Sequence, residues 1–387
     1  MTIYLDNSAT TPVDPRVVAA MAPWHAESFA NPSSLHTPGR RARDAVENAR
    51  AQVAALLGAR PREIVFTASG TEADNLALAG AIDAAGPGPH HLVTCAIEHP
   101  AILETARALE TRGVAASIVP VDSDGLVDPE DVRRALRPHT RVVSVMAANN
   151  VVGTIQPLNE IGRAVRDAGT LFHTDAVQAV GKVPFDLGSQ PIDLLSLSAH
   201  KLHGPKGVGA LYVRDGVTLC PIVRGGGQER GLRSATENVA GIVGLGCAAE
   251  LAAAEMAETN ARLVTLRDRL IDGIFAASPQ AYLIGHARRR LPGHVSLGFA
   301  GLEGEAIRLL LALDEAGIAV STGSACSASH APEPSYVLQA MGFDPFRSRG
   351  ALRLTLGRFN TEAEVEQVVD ILPSLVGGLR RIATARR

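Results

Sequence analysis

Residues 170–201 read TLFHTDAVQAVGKVPFDLGSQPIDLLSLSAHK, and two short β-rich runs in this stretch decide the fold. Thr170–Thr174 and Asp193–Leu197 each end in a polar cluster, Asp175-Ala176-Val177-Gln178 after the first and Ser198-Ala199-His200-Lys201 after the second. A run of apolar and β-branched residues that stops abruptly at charged side chains is the mark of a buried strand opening into a ligand crevice. Working outward, similar runs lie at Glu63–Thr67, His91–Cys95, Ala115–Val119, Arg141–Ala147 and Gly209–Val213. Amphipathic helical stretches such as Thr71–Ala85 and Pro100–Thr111 alternate with them. That alternation predicts an α/β fold with a large, mostly parallel seven-stranded sheet covered by helices.

Beyond Gly225-Gly226-Gly227 an Ala/Leu/Glu-rich helix is predicted from about Asn238 to about Ala276. The rhythm then changes, with further elements at His294–Phe299, Gly304–Leu313, Ile318–Ser321, Ala351–Thr355 and Glu362–Leu372. With 387 residues the chain exceeds one ordinary core. The expected division is a large domain over 15–255 and a smaller α+β domain over 1–14 and 256–387.

Bulk chemistry narrows the function. A net charge of −3 offers no basic field for nucleic acid, and the arginines at 380–381 and 386–387 read as a solvated helix end. No uncharged apolar run reaches about 18 residues, so no membrane span is expected, and the first residues lack the pattern of a signal peptide. Four scattered cysteines (Cys95, Cys220, Cys247, Cys326) form no CxxC pair, which disfavours a zinc site or disulfide framework and suits a reducing cytoplasm. No metal site is expected.

Of 37 basic residues only three are lysines: Lys182, Lys201 and Lys206. A primary amine forms a Schiff base with a carbonyl cofactor, and a guanidinium does not. Lys201 stands at a strand end, 26 positions beyond Asp175. A carboxylate at such a place is costly to bury unless paired, and a protonated ring nitrogen is a fitting partner. Gln178 is then placed for a ring oxygen, His99 for the ring face, and Ser198 with His200 for a phosphate. The turn Ala68-Ser69-Gly70-Thr71, opening a helix, suits the same phosphate, although alone it reads more readily as a plain helix cap. Together these groups point to pyridoxal 5′-phosphate.

The chain resembles the NifS/IscS-like cysteine desulfurases of the class V aminotransferase group. The resemblance rests on YLDNSATTP (4–12), TEADN (71–75), EH (98–99), NN (149–150), HTDAVQAVGK (173–182), SAHKLHGPKG (198–207), GGGQERGLRS (225–234), SYVLQAMG (335–342) and RLTLGR (353–358), which span nearly the whole chain. It implies a homodimer of PLP fold type I in which Lys201 carries the cofactor and His99 stacks on it. Asp175 would meet the ring nitrogen and Gln178 the ring oxygen. Gly70, Thr71, Ser198 and His200 would hold the phosphate, with Thr236 reaching in from the other subunit. Asn150 and Arg353 would bind the carboxylate of L-cysteine.

The resemblance also makes Cys326, in a small-residue loop read as flexible, the thiol that takes up sulfur as a persulfide. It passes that sulfur to an acceptor protein such as an iron–sulfur scaffold or a tRNA-thiolation protein. Catalysis would rest on Lys201, Cys326 and His99. Val151 stands where the family has Glu, and Ala235 where it has Gly. The alternatives are a selenocysteine lyase or another class V enzyme and, in a different class, an inactive scaffold protein.

Overall fold

A computed structural model describes residues 2–322 and 334–385 of the chain. Its strands are β1 (Ile3–Tyr4), β2 (Ile64–Thr67), β3 (His91–Cys95), β4 (Ala115–Val119), β5 (Thr140–Ser144), β6 (Leu171–Asp175), β7 (Leu194–Ser198), β8 (Gly209–Val213), β9 (Ala281–Leu283), β10 (His294–Phe299), β11 (Ile318–Ala319), β12 (Ser321–Thr322) and β13 (Leu352–Thr355). Seven of them form the main sheet in the order β2-β8-β7-β6-β5-β3-β4. Strands β4, β3, β5, β6 and β7 run parallel, and β8 is antiparallel to both β7 and β2. The expectation of a mostly parallel, seven-stranded sheet is met.

Every residue of β3 and β7 is buried, which explains why these strands read as continuous runs and not as alternating ones. Thr94 Oγ1 on β3 is buried without a hydrogen-bond partner, but other polar groups of the central strands are paired. His173 of β6 is completely buried, with Nδ1 at 2.9 Å from Ser144 Oγ on β5 and Nε2 at 3.0 Å from Ser196 Oγ on β7. Three central strands are thereby cross-linked just beneath Asp175, whose register partner is Ser196.

A second sheet, β12-β13-β10-β9, is antiparallel throughout, and β1 pairs in parallel with β11. The helix Val239–Ala277 serves both cores. Ile242, Leu245, Ala248 and Ala249 belong to the main core, whereas Leu263, Leu266, Leu270 and Ile274 pack under the second sheet. This is the one helix among the described residues long and apolar enough to cross a membrane, and burial in two protein cores accounts for its apolar character.

Beyond shifts of a few residues at element ends, two stretches differ from the sequence reading. Ile318–Ser321 splits: Ile318–Ala319 pairs with β1, while Ser321–Thr322 pairs with β13. The last helix was expected to stop at Leu372, before Pro373, but it runs over Glu362–Ala385 with the proline inside. A proline in a helix interior costs about 3 kcal/mol. Buried Val365, Val368, Leu372 and Val376 offset it, because together they seal the second core on both sides of the proline.

Candidate active site

One pocket at the carboxyl ends of the central strands gathers most of the expected residues. Its wall contains Gly70, Thr71, His99, Asn150, Asp175, Gln178, Ser198, His200, Lys201 and Arg353. Two expected residues are not among them. Thr236 is exposed and is not part of this wall. Cys326 lies outside the described residues.

Lys201 follows β7 by three residues. Its Nζ donates to the carbonyls of Ser8 at 2.5 Å and Ala9 at 2.7 Å. Gln178 Nε2 donates to the same Ser8 carbonyl at 2.9 Å, and its Oε1 is buried without a hydrogen-bond partner. Lys206 also reaches the wall but is exposed. Lys182 lies in a neighbouring cavity that it shares with Lys201; its Nζ donates to Gln178 O at 3.2 Å, and burial brings its amine down to about 7.

Asp175 ends β6 with only 5% of its surface exposed, and its Oδ1 accepts from Val177 N at 2.9 Å. Burial raises its pKa, against the opposing pull of His99 and Lys201. Asp74, also buried, has an Oδ1 without a hydrogen-bond partner, and burial followed by repulsion from Asp175 raises its pKa too. Ligating atoms of Asp74, His99 and Asp175 lie within 4.8 Å of one another. Such a buried carboxylate pair favours a cationic group placed against it.

His99 is the N-cap of the helix Pro100–Glu110. Its Nδ1 accepts from Ala101 N at 3.1 Å, which leaves the ring proton on Nε2. Burial lowers its pKa, so the ring is a neutral plate over the pocket with Nε2–H as a donor.

The phosphate-type corner is built from backbone. Ser69 caps the helix Gly70–Ala84, its Oγ accepting from Glu72 N at 3.1 Å, so the first helical N–H groups open on the pocket. Gly70 is needed there: a Cβ would meet Val177 Cγ2 at 2.6 Å. The turn is thus a helix cap whose free N–H groups could also donate to an anion. His200 completes the corner with Nδ1 at 3.1 Å from Thr10 Oγ1; burial and then Lys201 lower its pKa to about 4.

On the opposite wall Arg353, on β13, is held from two sides. Nη2 donates to Asp6 Oδ1 at 2.8 Å and Nη1 to the Asn150 carbonyl at 3.0 Å, while Nε is buried with no partner. The departure at Val151 leaves this turn intact: Val151 is buried and its N–H bonds Asn149 Oδ1 at 2.8 Å.

The orphaned Gln178 Oε1, the paired buried carboxylates and the glycine-lined cradle fit a flat cationic ring bearing a phosphate. Sequence reasoning missed Asp74, Asp6 and the Ser8–Thr10 wall. Asp74 had a signal, since it follows Thr71 by three residues and shares its helix face. Asp6 had none, because its partner is 347 residues away.

Beside the pocket, Glu98 is fully buried. Its Oε1 accepts from Met146 N at 2.7 Å and Cys95 Sγ at 3.2 Å, and burial lifts its pKa from 4.5 to about 8. The folded chain therefore holds this proton more tightly than the unfolded one. Its stabilising contribution is complete below about pH 4.5 and is lost as pH rises through about 8. Glu98→Gln is expected to keep the Met146 bond and to raise the urea midpoint relative to wild type above pH 8, with no gain near pH 4. Parallel midpoint-against-pH curves for the two proteins would contradict this.

The aminotransferase class-V family profile matches residues 3–368. A cysteine desulfurase from Gluconacetobacter diazotrophicus is 49% identical over 98% of this chain and 95% of its own length. A cysteine desulfurase IscS from Methanosarcina thermophila is 48% identical over 98% and 93%. Among solved structures, a NifS-like protein superposes with a TM-score of 0.91 at 40% identity, covering 97% of this chain and all of the other.

Proposed function

The chain belongs to the class V aminotransferase family, in its cysteine desulfurase branch, and from that premise we propose how its own residues divide the work. It removes sulfur from L-cysteine and leaves L-alanine. The observation that carries the assignment of roles is the single pocket uniting Lys201, Asp175, His99, Ser198, His200 and Arg353.

Pyridoxal 5′-phosphate supplies an electron sink for the carbon bearing the substrate's amine. Gly70, Thr71, Ser198 and His200 bind its phosphate, and Asp175 holds a proton on its ring nitrogen. Burial raises the pKa of both Asp74 and Asp175, and their mutual repulsion favours a single negative charge shared by the pair. His99 covers the ring face and points Nε2–H into the pocket. Lys201 Nζ moves the proton of the substrate's α-carbon; the Ser8 and Ala9 carbonyls orient that amine.

Arg353 and Asn150 seat the substrate carboxylate, with Asp6 fixing the guanidinium plane. A charge-assisted pair of this kind is worth about 1.5–3 kcal/mol. Arg353→Ala is expected to raise the KM for cysteine roughly 10- to 100-fold with unchanged cofactor absorbance. A KM within a factor of two of wild type would remove Arg353 from the substrate site.

Cys326 accepts the sulfur. Thr322 pairs with Leu352, next to Arg353, and Tyr336 Oη donates to the Glu98 carbonyl beside His99 at 2.6 Å. Both flanks of residues 323–333 are therefore tied to the pocket rim. Four residues of chain separate Cys326 from Thr322, a tether of at most about 14 Å. We assign delivery of the persulfide sulfur to an acceptor protein, of the iron–sulfur scaffold or tRNA-thiolation kind. A homodimer is supported by exposed Thr236 and by Phe29 and Leu35, large apolar side chains 78% and 80% exposed. Alanine release on incubation with cysteine tests the activity; no alanine from cofactor-loaded protein would overturn it.

A further inference from the structure

Glu72 stands one residue past Thr71 and has a second attachment far along the chain. Its Oε2 accepts from Ala68 N at 2.9 Å, inside the phosphate turn. Its Oε1 accepts from Arg233 Nε at 2.8 Å, and Arg233 Nη2 approaches Oε2 at 3.4 Å. The two side chains are only 20% and 16% exposed, so water screens the pair weakly.

Arg233 lies three residues before Thr236. The same segment is pinned again upstream. Glu229 receives both terminal nitrogens of Arg50 at 2.7 and 2.8 Å and the backbone N–H of Phe66 at 2.8 Å. Arg50 and Glu229 are 5% and 4% exposed, and Phe66 lies on β2, the strand that leads into the phosphate turn. Glu229 and Arg230 adopt left-handed φ of 48° and 58°, a strained conformation for residues with side chains. A strained backbone persists where surrounding bonds over-determine it, and here two ion pairs do so. The base of the segment is fixed to its own chain's phosphate turn, while Thr236 at its tip is exposed and off that chain's pocket wall.

We propose that the Glu72–Arg233 pair is a strut that presents Thr236 to a second copy of the chain, so that Arg233 is a positioning residue for the cofactor phosphate bound in the partner. This rests on the reading of Thr236 as a contact to the partner's cofactor. Each chain's phosphate turn then has two duties: it binds phosphate itself, and it braces the segment that completes the neighbouring site.

Heterodimers test it. One chain carries Lys201→Ala, so only the other shows the absorbance of lysine-bound cofactor. Arg233→Ala is placed either on the lysine-less chain or on the lysine-bearing chain. Both dimers contain the same substitutions, so losses of folding or assembly are matched. Titration with pyridoxal 5′-phosphate is expected to show roughly tenfold weaker binding when Arg233→Ala is on the lysine-less chain than when it is on the lysine-bearing one. Arg233→Lys on the lysine-less chain should recover part of the affinity. Equal affinities in the two arrangements, or a loss confined to the lysine-bearing chain, would overturn the strut. Thr236→Ala in the same two arrangements separates the premises. If it weakens binding across the dimer and Arg233→Ala does not, the strut alone falls; if it has no effect across the dimer, or the chain sediments as a monomer, the reading of Thr236 falls with it.

Discussion

Lys201→Ala is expected to abolish the absorbance of lysine-bound cofactor and to lower alanine production from cysteine by about 10⁴-fold or more. The argument is one of supply and position. The chain has three lysines, and the other two are poorly placed to substitute. Lys182 spends its amine on the Gln178 carbonyl in the adjoining cavity, and Lys206 stands exposed at the pocket's edge. Only Lys201 has its amine oriented by two carbonyls at a strand end that also carries Ser198 and His200. The two functions proposed for this amine, holding the cofactor and moving the substrate proton, would vanish together, which is why the expected loss is large. A spectrum unchanged by the substitution would transfer the role to Lys206.

Cys326→Ala should behave in the opposite way toward the cofactor. Its absorbance is expected to stay, because the amine of Lys201 and the pocket wall that holds the cofactor are supplied by other residues. Alanine formation should drop roughly 10³-fold, since the sulfur has no thiolate to attack it. The remaining cysteines are poor replacements. Cys95 is fully buried, its thiol bonded to Glu98, and burial drives its pKa well up. Cys247, half-buried, is also raised by burial. Cys220 is likewise half-buried. Persulfide labelling after a cysteine pulse checks this directly; undiminished label in the variant would rule Cys326 out as the carrier.

The strand ends were legible because buried parallel strands must be apolar along their whole length, so Asp175, His99 and Lys201 stand out where the runs stop. His91–Cys95, Ala115–Val119, Gly209–Val213 and His294–Phe299 agree with the sequence reading to the residue. Pairings across the chain were not legible. That Asp6 would hold Arg353, or that Glu72 would meet Arg233, depends on how sheets and loops are brought together, and no local periodicity encodes it. Pro373 misled for a related reason: local propensity argued for a stop, and tertiary burial overrode it. The neutral tautomer of His99 needed the helix cap to be seen in place.

The first dozen residues tie the two sheets together. Leu5 N bonds the carbonyl of Ala319 and Thr355 N bonds that of Leu5, so this end moves with the second sheet. A few residues on, Ser8 and Ala9 receive the Lys201 amine, and Thr11 N and Oγ1 both donate to the His200 carbonyl. The amine of Lys201 is thus bonded to the segment that joins the second sheet and not only to its own strand. Arg353, proposed to seat the substrate carboxylate, is on that sheet, so the same first residues join the proposed substrate-binding side chain to the carbonyls that hold the lysine.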